Sequence, residues 1–298
     1  MSGRLRAPVE RLYARVLESE LEATPSHIAV IQDGNRRYAA EQGVEKTAGH
    51  RAGAETTEAL LKWCRDLDIQ EVTLYAFSTE NFERPEDERE ALFDLITEKL
   101  RDFADAEDIH EHEVRIRAIG ETEDLPERVR DAIAYAEGRT EDYDRLNLNI
   151  ARAYGGRAEL LGATRSIAEQ VAAGDLDHED VDATTVDQAL TDGPTRNVDL
   201  IIRSGGDERT SNFLPWQANG NEAAVYFTAP YWPEFRRIDF LRALRTYNYR
   251  EESWHQSRLR RARALAGVLG ETITGAVRRV GSEDDEVQEE TTETVEPS

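Results

Sequence analysis

Apolar positions along this chain follow two periods that take turns. Short apolar runs of strand length fall at 28–31, 71–77, 114–119, 146–151, 198–202 and 224–227. Between them, apolar residues return every three or four positions, the spacing of amphipathic helices. This spacing predicts helices over 53–67 (Leu60, Leu61, Cys64 and Leu67 inward), 126–137 and 157–171. A longer helix over 85–106 opens at Pro85 and carries Leu92, Leu95, Ile96 and Phe103 as its stripe. A lead-in helix over 4–23 turns Leu12, Val16 and Leu21 inward, and an acidic loop over 175–195 holds a short helix near 186–190. Strands alternating with helices predict an α/β fold with a mostly parallel six-stranded sheet flanked by helices. Right-handed crossovers bring the strand ends to one edge, where ligands of such folds bind.

The same pattern divides the chain into an N-terminal helix (1–25), a main domain (26–250), a helical extension (251–281) and an acidic tail (282–298). In the extension, Ala262, Leu265, Leu269, Ile273, Val277 and Val280 repeat at helical spacing between arginines. The tail is poor in apolar residues and reads as disordered.

Composition narrows the class. Hydrophobic residues make up 39% of the 298, enough to fill a core. No apolar run is long enough to span a bilayer, and the N-terminus lacks the apolar region of a signal peptide, so a soluble cytoplasmic protein is expected. The single cysteine, Cys64, excludes an intrachain disulfide framework and a cysteine-based zinc site. The net charge is −24, and lysine occurs only at Lys46, Lys62 and Lys99. Acids spread along the whole chain suit a high-salt cytoplasm, where screening weakens self-repulsion. That charge argues against a general nucleic-acid surface.

Candidate chemistry sits at the strand ends. After the first strand comes Asp33-Gly-Asn-Arg-Arg37. Asp33 suits a divalent cation, Gly34 and Asn35 can bring backbone N–H groups to an anion, and Arg36 and Arg37 can clamp phosphate oxygens. On its own the stretch reads first as a hairpin or capping turn with solvated charges, because Asp-Gly is a common turn. His50, placed just before the second predicted helix, suits an anion or a structural hydrogen bond. Ser78-Thr-Glu-Asn-Phe82 follows the second strand and reads as a helix cap or a polar site. After the fifth strand, Arg203-Ser-Gly-Gly-Asp-Glu-Arg209-Thr-Ser211 places two glycines between arginines, so that backbone amides can approach a diphosphate. Glu222 alone is a surface carboxylate.

Taken together, the Asp33–Arg37 turn, Ala76-Phe-Ser-Thr-Glu-Asn-Phe-Glu-Arg-Pro85, Asn149-Ile-Ala-Arg-Ala-Tyr-Gly-Gly156 and the Arg203–Phe213 stretch closely resemble the cis-prenyltransferases. These are the undecaprenyl or dehydrodolichyl diphosphate synthases. The resemblance covers about residues 27–250. It implies an apolar tunnel for an isoprenoid chain, with the 85–106 helix as one wall. It also implies repeated condensation of isopentenyl diphosphate onto geranylgeranyl or farnesyl diphosphate, giving a glycosyl carrier lipid precursor. By resemblance, Asp33 and Asn81 are the catalytic positions. A neutral amide is a poor base, so Asn81 is expected to position the group that takes the proton. The allylic diphosphate would meet Gly34, Asn35, Arg36, Arg37, Tyr38, Lys46, His50 and Arg84. Lys46 stands where an arginine is usual, keeping the charge but losing the bidentate fork. Ser78, Thr79, Glu80 and Phe82 would lie by the reacting carbons and the chain. Isopentenyl diphosphate would meet Arg203, Arg209, Thr210 and Ser211, and Mg²⁺ would sit on Asp33 and Glu222. The family's usual Arg-x-Gly ending is absent from 248–254. The paired-aspartate motif of trans-prenyltransferases is missing as well. The resemblance implies a homodimer with peripheral membrane contact through its lipid product, and the acidic composition suggests a halophilic archaeon as source. The other reading is a non-catalytic partner subunit, but such partners lack the first turn.

Overall fold

The computed structural model describes residues 13–78, 84–120, 125–190, 194–220 and 222–251, together with Glu10 and Phe82. The chain divides into a unit over Met1–Asn248 and a second over Tyr249–Ser298. Of the second, only 249–251 are described, so the helical extension and the acidic tail lie outside the described residues, as do Thr79, Glu80 and Asn81.

The first unit opens with α1 (13–19), β1 (His27–Ile31), α2 (Asn35–Gln42), α3 (Lys46–Asp66) and β2 (Glu71–Ser78). Next come α4 (Glu86–Asp105), α5 (Glu107–Glu111), β3 (Val114–Ile119), α6 (Glu127–Thr140) and β4 (Leu146–Tyr154). It continues through α7 (Gly156–Ala173), α8 (Ala183–Ala189), β5 (Leu200–Arg203), α9 (Pro215–Gly220) and β6 (Ala224–Phe227) to α10, which begins at 237 and is helical through 251, the last described residue. The strands form one sheet in the order β3-β4-β2-β1-β5-β6, every neighbouring pair parallel. The expected six-stranded parallel sheet is therefore present. Strand β1 is buried along its whole length. Ile28 and Val30 join the cluster formed with α3, α4 and α6, while Ala29 and Ile31 join Tyr154, Phe213 and Leu214 on the other face. Among the described residues no helix is long and apolar enough to cross a membrane.

Several local expectations are corrected. Helix α1 buries Leu17 and leaves Val16 44% exposed. Ala14, Leu17 and Leu21 pack on the core, so Leu21 faces inward as expected, Val16 does not, and Leu12 lies outside the described residues. Helix α4 buries Leu92, Phe93, Ile96, Leu100 and Ala104, with Leu95 and Phe103 at the flanks of the stripe. Although the pattern predicts a turn at 33–37 and assigns no element to 38–42, Asn35–Gln42 forms α2, and α3 begins at Lys46 rather than at residue 53. Glycines hid that start, because Gly49 and Gly53 are poor helix formers. One turn apart on α3, they face α2. A Cβ on Gly49 would strike the Asn35 carbonyl, and one on Gly53 the Asn35 side chain. The missing side chains let the two helices close up.

Polar side chains pin the amino-terminal edge of the sheet. Glu71, His27, Thr73 and Asn149 are all fully buried. Asn149 Nδ2 donates to Glu71 Oε1 at 2.6 Å, and Thr195 donates to the same carboxylate from N at 2.8 Å and Oγ1 at 2.6 Å. His27 Nδ1 lies 3.0 Å from the Arg196 carbonyl and so carries the proton. Its Nε2 then accepts from the Thr73 hydroxyl at 2.8 Å. These partners tie the segment before β5 to the sheet and leave the opposite edge to the loops of interest.

Candidate active site

The chain leaves β1 toward β2 on one side, and β5 continues to β6 on the other. The carboxyl ends of β1 and β5 thus flank a switch point, the place where open α/β sheets hold ligands. A cleft of about 910 Å³ opens there. Its lining includes Asp33, Gly34, Asn35, Arg36, Arg37, His50, Arg84, Arg203, Arg209 and Ser211, ten residues the sequence pointed to. Tyr75, Leu92 and Ile31 supply its apolar wall.

Asp33 stands at the centre. Its Oδ2 accepts from Arg203 Nη2 at 2.7 Å and its Oδ1 from Arg37 Nη2 at 3.2 Å. Burial alone would raise the Asp33 carboxyl, but the Arg203 hydrogen bond and the Arg203 and Arg37 charges outweigh it and hold the group ionised. Backbone contacts fix the loop. Ser204 Oγ donates to the Asp33 carbonyl at 2.8 Å, and Trp232 N donates to the same oxygen at 2.9 Å.

Arg203 is almost completely buried and gathers the second loop. Its Nη1 donates to Ser211 Oγ and the Arg209 carbonyl, both at 2.6 Å. Its Nη2 also reaches Asp207 Oδ2 at 3.2 Å, and Arg209 Nη2 pairs with that oxygen at 3.0 Å. The charges therefore alternate along Arg37, Asp33, Arg203, Asp207 and Arg209. Gly205 and Gly206 play a different part from the one expected. Their amides donate to the Pro230 and Thr228 carbonyls at 2.8 and 2.9 Å and so do not face an anion. Instead, the absent Gly205 side chain makes room. A Cβ there would come within 2.8 Å of Arg37 Nη2 and 3.1 Å of the Asp33 carbonyl.

Facing this loop, α2 begins at Asn35 with Gly34 as its N-cap in the left-handed region (φ 100°). A Cβ at Gly34 would meet Tyr231 Cδ1 at 2.6 Å. The Tyr231 ring in turn lies 5.3 Å from the Arg37 guanidinium and adds a cation–π contact. Asn35 Oδ1 is buried without a hydrogen-bond partner in the cleft wall. Across the cleft, Arg36, Lys46 and Arg84 converge on Glu88 in the first turn of α4.

His50 lies within α3, not before it. Burial, then the charge of Arg84, pushes its imidazole down to about 4, so at neutral pH it is an uncharged hydrogen-bonding group rather than a cation. Its Nε2 is buried and unpartnered. Tyr38, Lys46, Thr210 and Glu222 are not part of the cleft lining. Glu222 is exposed, in the left-handed region (φ 48°), just before β6. Phe82 packs toward Phe93 of the core. Ser78 ends β2. The sequence reading missed Arg157 in the first turn of α7, and also Asp207, Ser204 and Glu88. The Gly155-Gly156 break before α7 was the available signal for Arg157.

Among the described residues no three acidic, His or Cys side chains gather as a metal cage. Two carboxylates line the cleft between arginines, Asp207 within the second loop and Asp33 bridging the two loops through Arg37 and Arg203. That donor set suits Mg²⁺, which is commonly held by one or two carboxylates, substrate phosphates and water.

The comparisons agree with this geometry. Residues 31–255 match the family described as putative undecaprenyl diphosphate synthase. A protein of Haloarcula marismortui is 63% identical over 268 residues, covering 90% of this chain and 88% of that one. One of Halobacterium salinarum is 59% identical over 280 residues, covering 94% and 92%. Both are named tritrans,polycis-undecaprenyl-diphosphate synthase (geranylgeranyl-diphosphate specific). Among solved structures, lavandulyl diphosphate synthase from Lavandula x intermedia, in complex with dimethylallyl diphosphate, superposes with a TM-score of 0.69. It is 33% identical and covers 76% of this chain and 95% of its own. A probable undecaprenyl diphosphate synthase from Campylobacter jejuni gives 0.60 at 32% identity, with the same coverage. The chain belongs to the undecaprenyl diphosphate synthase family of cis-prenyltransferases.

Proposed function

We propose that this protein condenses isopentenyl diphosphate repeatedly onto geranylgeranyl diphosphate to make a long cis-polyprenyl diphosphate, the precursor of a glycosyl carrier lipid. One observation carries the reading. A single ionised carboxylate, Asp33, joins the two cationic halves of one cleft, whose apolar wall opens at Leu92. The allylic diphosphate lies against α2 and Arg84, and isopentenyl diphosphate against Arg203, Arg209 and Ser211. The names of the haloarchaeal relatives favour the geranylgeranyl starter. A neighbour's complex with dimethylallyl diphosphate supports an allylic site in this fold.

The arginines stabilise charge that builds on the leaving diphosphate as the allylic C–O bond breaks. C4 of isopentenyl diphosphate bonds to the allylic carbon, and loss of a proton from C2 sets the cis double bond. Asn81 positions the diphosphate oxygen or water that takes this proton. Asp33 would hold Mg²⁺, with Glu222, exposed and outside the cleft lining, as the proposed second carboxylate, and the bound ion would further neutralise the diphosphates. Between the diphosphate sites and the core, the growing chain follows the inner face of α4. Near the end of α4 a cavity of about 260 Å³ is lined by Leu61, Phe103, Ile109, Val114 and Leu146 but also by Glu58, Lys62, Arg65, Lys99, Asp102 and Asp108, so the chain's far end would meet only part of it.

Extraction and sizing of products made from radiolabelled isopentenyl diphosphate and Mg²⁺ tests this. Long chains are expected, with geranylgeranyl diphosphate preferred over farnesyl diphosphate as starter. Folded protein that makes no labelled chain with either starter, at high or low salt, would instead identify a non-catalytic partner subunit.

A further inference from the structure

Two cations that line the allylic half of the cleft, Arg36 and Arg84, and Lys46 beside them outside the lining, are already occupied. Lys46 Nζ donates to Glu88 Oε2 at 2.7 Å. Arg84 Nη1 and Arg36 Nη1 donate to Glu88 Oε1 at 3.2 and 3.4 Å. The three cations come from three elements: α2, the start of α3, and the segment before α4. Glu88 is only 7% exposed, whereas Arg36 and Lys46 are 52% and 58% exposed. The carboxylate thus lies beneath Arg36 and Lys46, which solvent or a ligand meets from the other side, while Arg84 is itself largely covered at 17%. Burial would raise the Glu88 carboxyl, but the Lys46 hydrogen bond and the Arg84 and Arg36 charges outweigh it. Arg36 and Arg84 repel each other across the cluster, and Glu88 offsets that repulsion. No residue role derived above requires Glu88.

We infer that Glu88 is a competing internal anion that weakens the hold of Arg36, Lys46 and Arg84 on diphosphate, so that inorganic diphosphate leaves after each condensation. This rests on the allylic site proposed above. Each condensation transfers the allylic carbon to C4 of isopentenyl diphosphate and leaves the departing diphosphate, with the bonding pair, among these three cations. A cluster built only for tight binding would keep it and stall elongation. A carboxylate on the same three groups gives them a partner to return to. Glu88 is therefore a positioning residue, tuning the cations without touching the reacting carbons.

The test is calorimetric titration of the full chain with inorganic pyrophosphate, beside steady-state kinetics. Glu88→Gln keeps an acceptor of the same shape and removes one negative charge. It should bind pyrophosphate roughly five- to tenfold more tightly, as expected for losing a repelling unit charge at a partly screened site. It should also show a lower KM for the allylic diphosphate, a lower kcat and stronger inhibition by pyrophosphate. Glu98→Gln, which removes an equal charge further along α4, should leave pyrophosphate affinity unchanged. A merely structural Glu88 would give weaker binding on substitution. If the wild type binds pyrophosphate and Glu88→Gln binds it no more tightly, the site stands and the competing-anion role is overturned. If neither binds pyrophosphate, the allylic assignment fails and this role fails with it.

Discussion

His50 shows how one residue's surroundings reset its chemistry. The folded protein holds its imidazole at about 4, against 6.5 for the free group. As pH falls through that interval, the unfolded chain takes up the proton first. Stability that is full above 6.5 is therefore lost progressively toward 4, by up to roughly 3 kcal/mol. His27, buried and also depressed, adds a slope of the same sign. Urea melts at several pH values should show that His50→Asn flattens the acid limb without abolishing it. An unchanged slope would mean that His50 titrates alike in the folded and unfolded chains. At this scale the sequence exposed the cations well but not the carboxylates that hold them. Asp207 and Glu88 are two of 61 acids in a chain whose surface is acidic throughout, so neither stands out without geometry.

At the scale of elements, two adjacent glycines separate two physical effects. Gly205 and Gly206 both lie in the left-handed region, at φ 85° and 81°. Only Gly205 is also crowded, by Arg37 and Asp33. The nearest atom to a Cβ on Gly206 is Ala229 Cα at 4.0 Å. Gly206→Ala should cost about 1 kcal/mol from backbone strain alone. Gly205→Ala should cost about 2–3 kcal/mol, because it also drives Arg37 away from Asp33. Chemical denaturation of both variants checks this, and equal losses would contradict the crowding. The spacing of apolar residues located the strands and the long helices. It failed at α2 and at the start of α3, where the packing surface is made of glycine and so carries no hydrophobic signal. Helix α8 was read late, beginning at 186, because its start depends on the Asp182 capping box rather than on apolar residues.

At the scale of the whole molecule, the alternation of strands and helices predicted the parallel sheet but not its order. That order is decided by which helix covers which face. It makes the ends of β1 and β5 neighbours and so brings Asp33 within 2.7 Å of an arginine 170 residues away. The net charge of −24, read as a high-salt adaptation, accords with the haloarchaeal relatives. Everything proposed for this protein depends on Asp33 joining two diphosphate sites. The most direct measurement is isopentenyl diphosphate incorporation by Asp33→Asn beside wild type, with Mg²⁺, geranylgeranyl diphosphate and enough salt to keep both folded. Asn preserves an acceptor for Arg203 and removes the charge. Incorporation should fall roughly a thousandfold, about 4 kcal/mol of transition-state stabilisation, in a protein that melts near the wild-type temperature. A well-folded Asp33→Asn that elongates chains at a rate near wild type would contradict the account.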